Sequence, residues 1–259
     1  MGHRGAGGMT DRTAGRAPYY CGDLALVHDL GFGAHADRCA PGILGLLEPV
    51  RRRGGLVLEL GCGTGLLTRH LVGAGHRVVA TDASPAMLAR ARQAVPDAEE
   101  VRQLVLPDDP LPPSDAVVSV GHAVNYLPDV AAVTRALVAM AGALRPGGVL
   151  AIDLCDLEFG SARRDAPDLA RVTDEWAIIS RMSIPSPDRC VREITTFVRT
   201  PDGSWRRDDE RHDNVLLDTA QVPALLRAHG LEAAVGTSFG GEELPVGLVT
   251  VTGVAHPLP

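Results

Sequence analysis

No apolar run in this 259-residue chain is long enough to cross a bilayer as a helix, and Arg135 interrupts the best candidate. No association with a membrane is therefore expected. Aromatic side chains are scarce, at 3%, while Ala, Gly, Arg and Val are abundant. The five cysteines (Cys21, Cys39, Cys62, Cys155 and Cys190) are odd in number and irregularly spaced, with no C-x-x-C pair. That excludes a disulfide framework and a structural zinc site, and implies a reduced, cytoplasmic protein. No G-x-S-x-G elbow supports hydrolase chemistry, and no P-loop is present. No His/Cys/Asp cluster has metal-ligand spacing, so no metal is expected. The net charge of −7 disfavours a nucleic-acid substrate. The Arg51-Arg52-Arg53 run reads as a solvated helix end, where cations suit the dipole. Residues 1–18 are rich in Gly, Arg and Thr and lack an apolar signal core. Ala6 stands where a myristoylation signal wants Ser or Thr. A disordered tail is expected there, with Met9 as an alternative start.

What is present is concentrated in Val57-Leu-Glu-Leu-Gly-Cys-Gly-Thr-Gly65. An apolar run enters three glycines at alternate positions, and an amphipathic segment follows. This reads as a buried strand, a tight turn and a helix start. Glycine lets the backbone approach a ligand closely. The free N–H groups at a helix start favour a polar or anionic ligand end, and Glu59 can meet a cationic one. A dinucleotide fingerprint, G-x-G-x-x-G, needs glycine at its sixth position. Here that position is Leu66, and the third glycine comes one residue early. A nicotinamide-dependent oxidoreductase is thereby disfavoured.

Acid-x-Gly-x-Gly-x-Gly resembles motif I of the class I S-adenosylmethionine-dependent methyltransferases. The resemblance continues in order. Val78–Leu88 looks like that family's second strand, acidic residue and next helix. Asp115–Leu127 looks like its fourth strand, and Leu144–Leu154 like its fifth. The order of four segments is more specific than any one of them.

Periodicity supplies the rest. Cys39, Ile43, Leu46, Leu47 and Val50 recur at helical spacing, as do Val130, Val133, Leu137, Met140 and Leu144. Strands are expected at Leu56–Leu60, Arg77–Thr81, Glu99–Leu106 and Val149–Leu154. Ser84 and Pro85 give an N-cap and a first-turn proline. Strands alternating with helices imply parallel βαβ units. After Asp156 the pattern becomes β-rich, over Trp176–Ile184, Cys190–Thr200 and Trp205–Leu217. About three antiparallel strands are expected there. A short helix over Val222–His229 and strands at Leu231–Ser238 and Gly247–Ala255 close the chain.

The expected fold is therefore α/β: a Rossmann-like, seven-stranded class I methyltransferase sheet with helices on both faces and an antiparallel β extension after the fifth strand. Its parts are a lid and S-adenosylmethionine-binding core at 19–156, a substrate-side insertion at 157–217, and a closing helix and strand hairpin at 218–259.

The resemblance also implies site residues. Gly61, Cys62, Gly63 and Gly65 would contact the methionyl and ribose parts of S-adenosylmethionine, and Glu59 its amino group. Asp82 would accept from both ribose hydroxyls, its plainer reading being a helix-capping acid. Ala83 and Met87 would line the adenine pocket, Met87 reading almost equally as core. Leu104 and Val105 would meet adenine through backbone. Gly121 and His122 follow strand four, beside the reactive methyl. His122 is a candidate general base, or a polar contact with cofactor or water. Asn125 and Tyr126 resemble a recurrent Asn-Tyr-Leu. Tyr19, Tyr20 and His28 fall in a segment similar to the family's N-terminal lid, where snorkelling surface aromatics are the plainer reading. His212 is a candidate substrate contact, or a solvated strand histidine.

The expected activity is methyl transfer by in-line displacement to N or O of a small metabolite, in natural-product biosynthesis, by a monomer or homodimer. Non-methylating S-adenosylmethionine chemistry, nicotinamide-dependent redox chemistry and a non-catalytic cofactor sensor are the alternatives.

Overall fold

A computed structural model describes residues 19–256; the tail expected at residues 1–18 lies outside them. Helices α1 (Gly22–Gly31) and α2 (Ala34–Arg52) precede an alternating core. The core runs β1 (Leu56–Leu60), α3 (Leu66–Gly73), β2 (Arg77–Asp82), α4 (Pro85–Ala94), β3 (Glu100–Gln103) and β4 (Ser114–Ser119). A 3-10 turn over Ala123–Tyr126 leads to α5 (Val130–Ala143) and β5 (Leu144–Cys155). Next come α6 (Leu157–Ser161) and strands β6 (Leu169–Val172), β7 (Trp176–Ser186), β8 (Arg189–Arg199) and β9 (Trp205–Val215). Helix α7 (Val222–Arg227) and strands β10 (Leu231–Gly236) and β11 (Leu248–Ala255) complete the chain.

Seven strands form one sheet in the order β10-β11-β5-β4-β1-β2-β3, with β11 alone running against the rest. Alternate residues of the buried strands feed two cores. Leu58, Val79, Val117 and Ile152 point to α5 and α7. Val57, Val78, Ala116 and Ala151 point to α2, α3 and α4. The expected helices on both faces are present. Strand order reverses at β1, whose neighbours are β2 and β4, so the carboxyl ends of these strands open a crevice.

The caps follow sequence. The Ser84 hydroxyl accepts from Met87 N at the start of α4, and Asp129 accepts from Ala132 N at the start of α5. Val130 falls outside the expected stripe. It opens α5 and is 46% exposed, while Ala132 and Ala136 face the core. Strand β5 begins earlier than expected, at Leu144. The Pro146-Gly147-Gly148 segment forms a register shift against β4 rather than a break. Strand β3 is shorter than expected, ending at Gln103.

The extension is a separate antiparallel sheet, β6-β7-β8-β9, with four strands rather than three. The extra one, β6, is a short, fully exposed edge strand, so burial imprinted no alternation on it. Leu24 and Val27 of α1 pack on Trp176, Ile178, Ile194 and Val198 of this sheet. The N-terminal helix thus joins the extension to the crevice.

Asn125 locks the 3-10 turn in place. Its amide donates to Cys155 O (3.1 Å) and Val215 O (2.5 Å) and accepts from Cys155 N (2.9 Å), with no exposed surface. Asn125→Ala leaves three buried backbone groups without partners, so a loss of about 2–4 kcal/mol is expected in urea denaturation. A loss below about 1 kcal/mol would show that the clamp is dispensable.

Candidate active site

The glycine turn leaves β1 with Gly61, Gly63 and Gly65 all at positive φ (70°, 56° and 87°). A side chain at Gly61 is barred twice, by that φ and by Ala123, whose Cβ would lie 2.4 Å away. Cys62 N donates to Thr81 O of β2 at 2.8 Å, which carries the turn across the crevice. Asp82 closes β2 and accepts from Gly63 N (2.9 Å) and Ser84 N (2.8 Å). It therefore both lines the cavity and belongs to the turn before α4. Burial raises its pKa, against the opposing effect of those amides. Glu59 is 2% exposed, and among the described residues its carboxyl accepts only from the Thr68 hydroxyl, at 2.7 Å. Burial pushes it up to about 8, with Asp82 nearby adding to the shift. One buried and one half-buried acid thus line one cavity, and among the described residues no basic residue pairs with either.

The lid is fastened to the core. Ser84 Oγ donates to Tyr20 O at 2.7 Å, and Tyr20 holds φ 59°. Tyr20 N and Cys21 N each donate to Glu210 of β9 at 2.8 Å. Arg90 of α4 pairs with Asp29 of α1 at 2.7 Å, and Arg206 of β9 pairs with Asp23. His35, at the start of α2, bonds Asp153 at 2.8 Å. Asp153 has no exposed surface and also accepts from Gly121 N (3.0 Å) and His122 N (2.6 Å).

At the far end stand all three tyrosines of the chain. Tyr20 and Tyr126 bring their hydroxyls 3.0 Å apart, and the Tyr19 ring lies 5.0 Å from that of Tyr126. His28 meets the Tyr20 ring edge-on at 5.3 Å, and His122 stacks on Tyr126 at 5.8 Å. Burial lowers both histidines to about 4; Arg192 adds to each shift, and nearby acids (Asp29 and Asp153, respectively) oppose it. Both are uncharged at neutral pH. His28 Nδ1 is buried with no hydrogen-bond partner among the described residues.

These parts enclose a cavity of about 560 Å³. It is lined at one end by Glu59, Gly61, Cys62, Gly63, Asp82, Ala83 and Met87, with Leu104, Val105 and Gly121 alongside. At the other end it is lined by Tyr19, Tyr20, His28 and Tyr126. Gly65, His122, Asn125 and His212 are not among the lining residues. Gly65 instead backs onto Val95 and opens α3. The His122 ring lies between those of Tyr126 and Phe159. Asn125 is the buried clamp described above. His212 is fully buried rather than solvated: it bonds Glu210 at 2.9 Å and packs on Tyr19 and Tyr20. Sequence reasoning missed Asp153, His35 and Glu210. Asp153 had a signal, since it lies near the carboxyl end of an apolar strand as Glu59 and Asp82 do. His35 and Glu210 had none, because their partners are remote in sequence.

The donor set fits S-adenosylmethionine. Unpaired acids suit a ligand bearing an ammonium and a diol, and Met87 and Leu104 give an apolar wall for a base. The comparisons agree. Residues 57–148 match a family described as Methyltransferase domain. A putative methyltransferase of Geobacillus sp. (strain WCH70) is 27% identical over 195 residues, 73% of this chain and 78% of that protein. DesVI of Streptomyces venezuelae shares the fold at TM-score 0.74 and 26% identity, over 91% of this chain and all of that one. The sugar N-methyltransferase KedS8 from Streptoalloteichus sp. ATCC 53650 superposes at TM-score 0.73 and 26% identity, over 99% of this chain and all of that one.

Two measurements check the binding end. An ammonium beside Glu59 requires the ionised carboxyl, and the free protein holds it protonated below pH 8. Calorimetric affinity for S-adenosylmethionine is therefore expected to rise with pH between 6 and 8, by up to about tenfold per unit. Glu59→Gln should flatten the profile, and a flat wild-type profile would refute the assignment. Asp82→Ala should weaken binding by about tenfold or more; undiminished affinity would dismiss the Asp82 assignment.

Proposed function

We propose that this class I S-adenosylmethionine-dependent methyltransferase acts on an amino nitrogen of a small metabolite, of the amino-sugar kind, in a natural-product pathway. The observation that carries this reading is the uncharged His28 imidazole among the residues that line the cavity. An amine attacks only as its neutral form. Its N–H must then be held by an acceptor that is not itself protonated, and the neutral His28 imidazole answers that need at neutral pH. When bound, S-adenosylmethionine supplies a methyl group already activated by its sulfonium sulfur.

The chain's own residues do the rest. Glu59 and Asp82 hold the amino and ribose ends, with the Gly61–Gly63 backbone close against the ligand. Met87, Leu104 and Val105 flank the base. Asp153 fixes the amides of Gly121 and His122, and so the wall between the two ends of the cavity. His122, expected as a base, serves in this reading to shape that wall through its stack on Tyr126. The lid covers part of the cavity, and in this reading the main contribution is positioning and desolvation. Likeness to a sugar N-methyltransferase along 99% of the chain supports an acceptor of that class.

The test uses methyl-labelled S-adenosylmethionine with a panel of amino sugars and their N-acetyl derivatives. S-adenosylhomocysteine is expected to accumulate with the free amines alone, with the label on nitrogen. Equal turnover of the N-acetyl forms would move the chemistry to oxygen. Cofactor consumption without a methylated product would indicate non-methylating chemistry. His28→Ala is expected to lower kcat about a hundredfold while leaving cofactor affinity intact.

A further inference from the structure

S-adenosylmethionine carries three charged groups: a sulfonium, an ammonium and a carboxylate. Glu59 suits the ammonium, but the carboxylate needs a cationic donor. The chain contains no lysine, and none of its arginines is among the residues that line the cavity. Two lining residues are histidines, His28 and His35. Burial keeps His28 uncharged at neutral pH, so it cannot serve.

His35 stands differently. It lies in the first turn of α2, and its Nε2 meets Asp153 Oδ2 at 2.8 Å. The Asp153 side chain has no exposed surface, whereas that of His35 keeps 23%. A carboxylate taken out of water is held best by a charged partner. Protonation makes both ring nitrogens of a histidine donors. With Nε2 given to Asp153, Nδ1 remains. Its contact among the described residues is the weakly polar Cys39 Sγ, at 3.9 Å. The surroundings are those of the glycine turn. The start of α2 abuts the start of α3: a Cβ on Gly33 would lie 3.5 Å from Leu66 Cδ2, and His70 of α3 bonds Asp37 of α2 at 2.8 Å. Leu66 and Leu67, the first residues of α3, line the cavity beside His35. Amides at a helix start lack intrahelical acceptors and favour an anion on the same side.

We infer that protonated His35, braced by Asp153, donates through Nδ1 to the methionyl carboxylate of S-adenosylmethionine. This rests on that cofactor occupying the cavity with its amino group at Glu59, and is independent of the acceptor. Asp153 also holds the amides of Gly121 and His122, so the pair ties the seated cofactor to the wall between the two ends of the cavity.

The test compares calorimetric affinities for S-adenosylmethionine and for its decarboxylated analogue, which keeps the adenosine, the sulfonium and the amine. Wild type is expected to prefer the carboxylated compound by about 30-fold. Two variants are measured, His35→Gln, whose amide can still donate to Asp153, and His35→Leu. In both the preference should fall about tenfold, with affinity for the decarboxylated compound little changed. The wild-type ratio tests the inference even without the variants, since equal affinity for the two compounds would overturn it. A full preference in either variant would overturn it as well. So would an equal loss with both compounds, which is the mark of a merely structural His35. Wild type that binds neither compound would refute the cofactor reading and this inference together. A preference that depends on His35, in a protein that methylates no amine, would uphold the inference and refute the amine reading instead.

Discussion

The carboxylate of Asp82 joins the parts that make the site. One oxygen takes the Gly63 amide and the other the Ser84 amide, so the turn after β1 and the turn after β2 hang on one group. Ser84 extends the chain of bonds, capping α4 with its hydroxyl oxygen and giving its proton to the Tyr20 carbonyl. Glycine turn, helix and lid therefore share a continuous path. Asp153 does the same across the crevice, gathering two amides and His35 of α2. Glu59 differs. It has a single hydroxyl donor and remains protonated at neutral pH, which leaves it responsive to a cation.

The core was legible because parallel strands buried on both faces must be apolar runs, and because crossovers need glycine turns and capped helices. Ser84-Pro85 and the stripe through Leu137 and Met140 are local signals, readable within a few residues. The cavity-lining acids at strand ends share that advantage. What was not legible depends on distant partners. Glu210 matters because a chain segment 190 residues earlier returns to it. Asn125 resembled a substrate contact in sequence, but its amide is consumed by the backbones of β5 and β9. His122 is turned by a positive φ of 50° into a ring stack, which no periodicity reports.

The extension shows a second limit. Its inward face packs on α1, so its apolar residues alternate and three strands could be read. Its outward face carries Ile179 at 44% exposure beside Arg181, Glu193 and Arg211, and β6 has no buried residue. Strands stabilised mainly by ladder hydrogen bonds leave little trace in composition. The extension nevertheless decides the site, since it supplies Glu210 and supports the helix that covers the cavity.

The fastening of Tyr20 has a kinetic corollary. With its carbonyl held by Ser84 and its amide by Glu210, the segment ahead of α1 is tied to both the core and the extension. Its backbone sits in a conformation that a non-glycine residue adopts at a cost. Any swing of that segment away from the cavity breaks these hydrogen bonds and relieves the unfavourable torsion at Tyr20, so a turnover that used it would be bounded by that opening rate whatever the speed of the bond-making step.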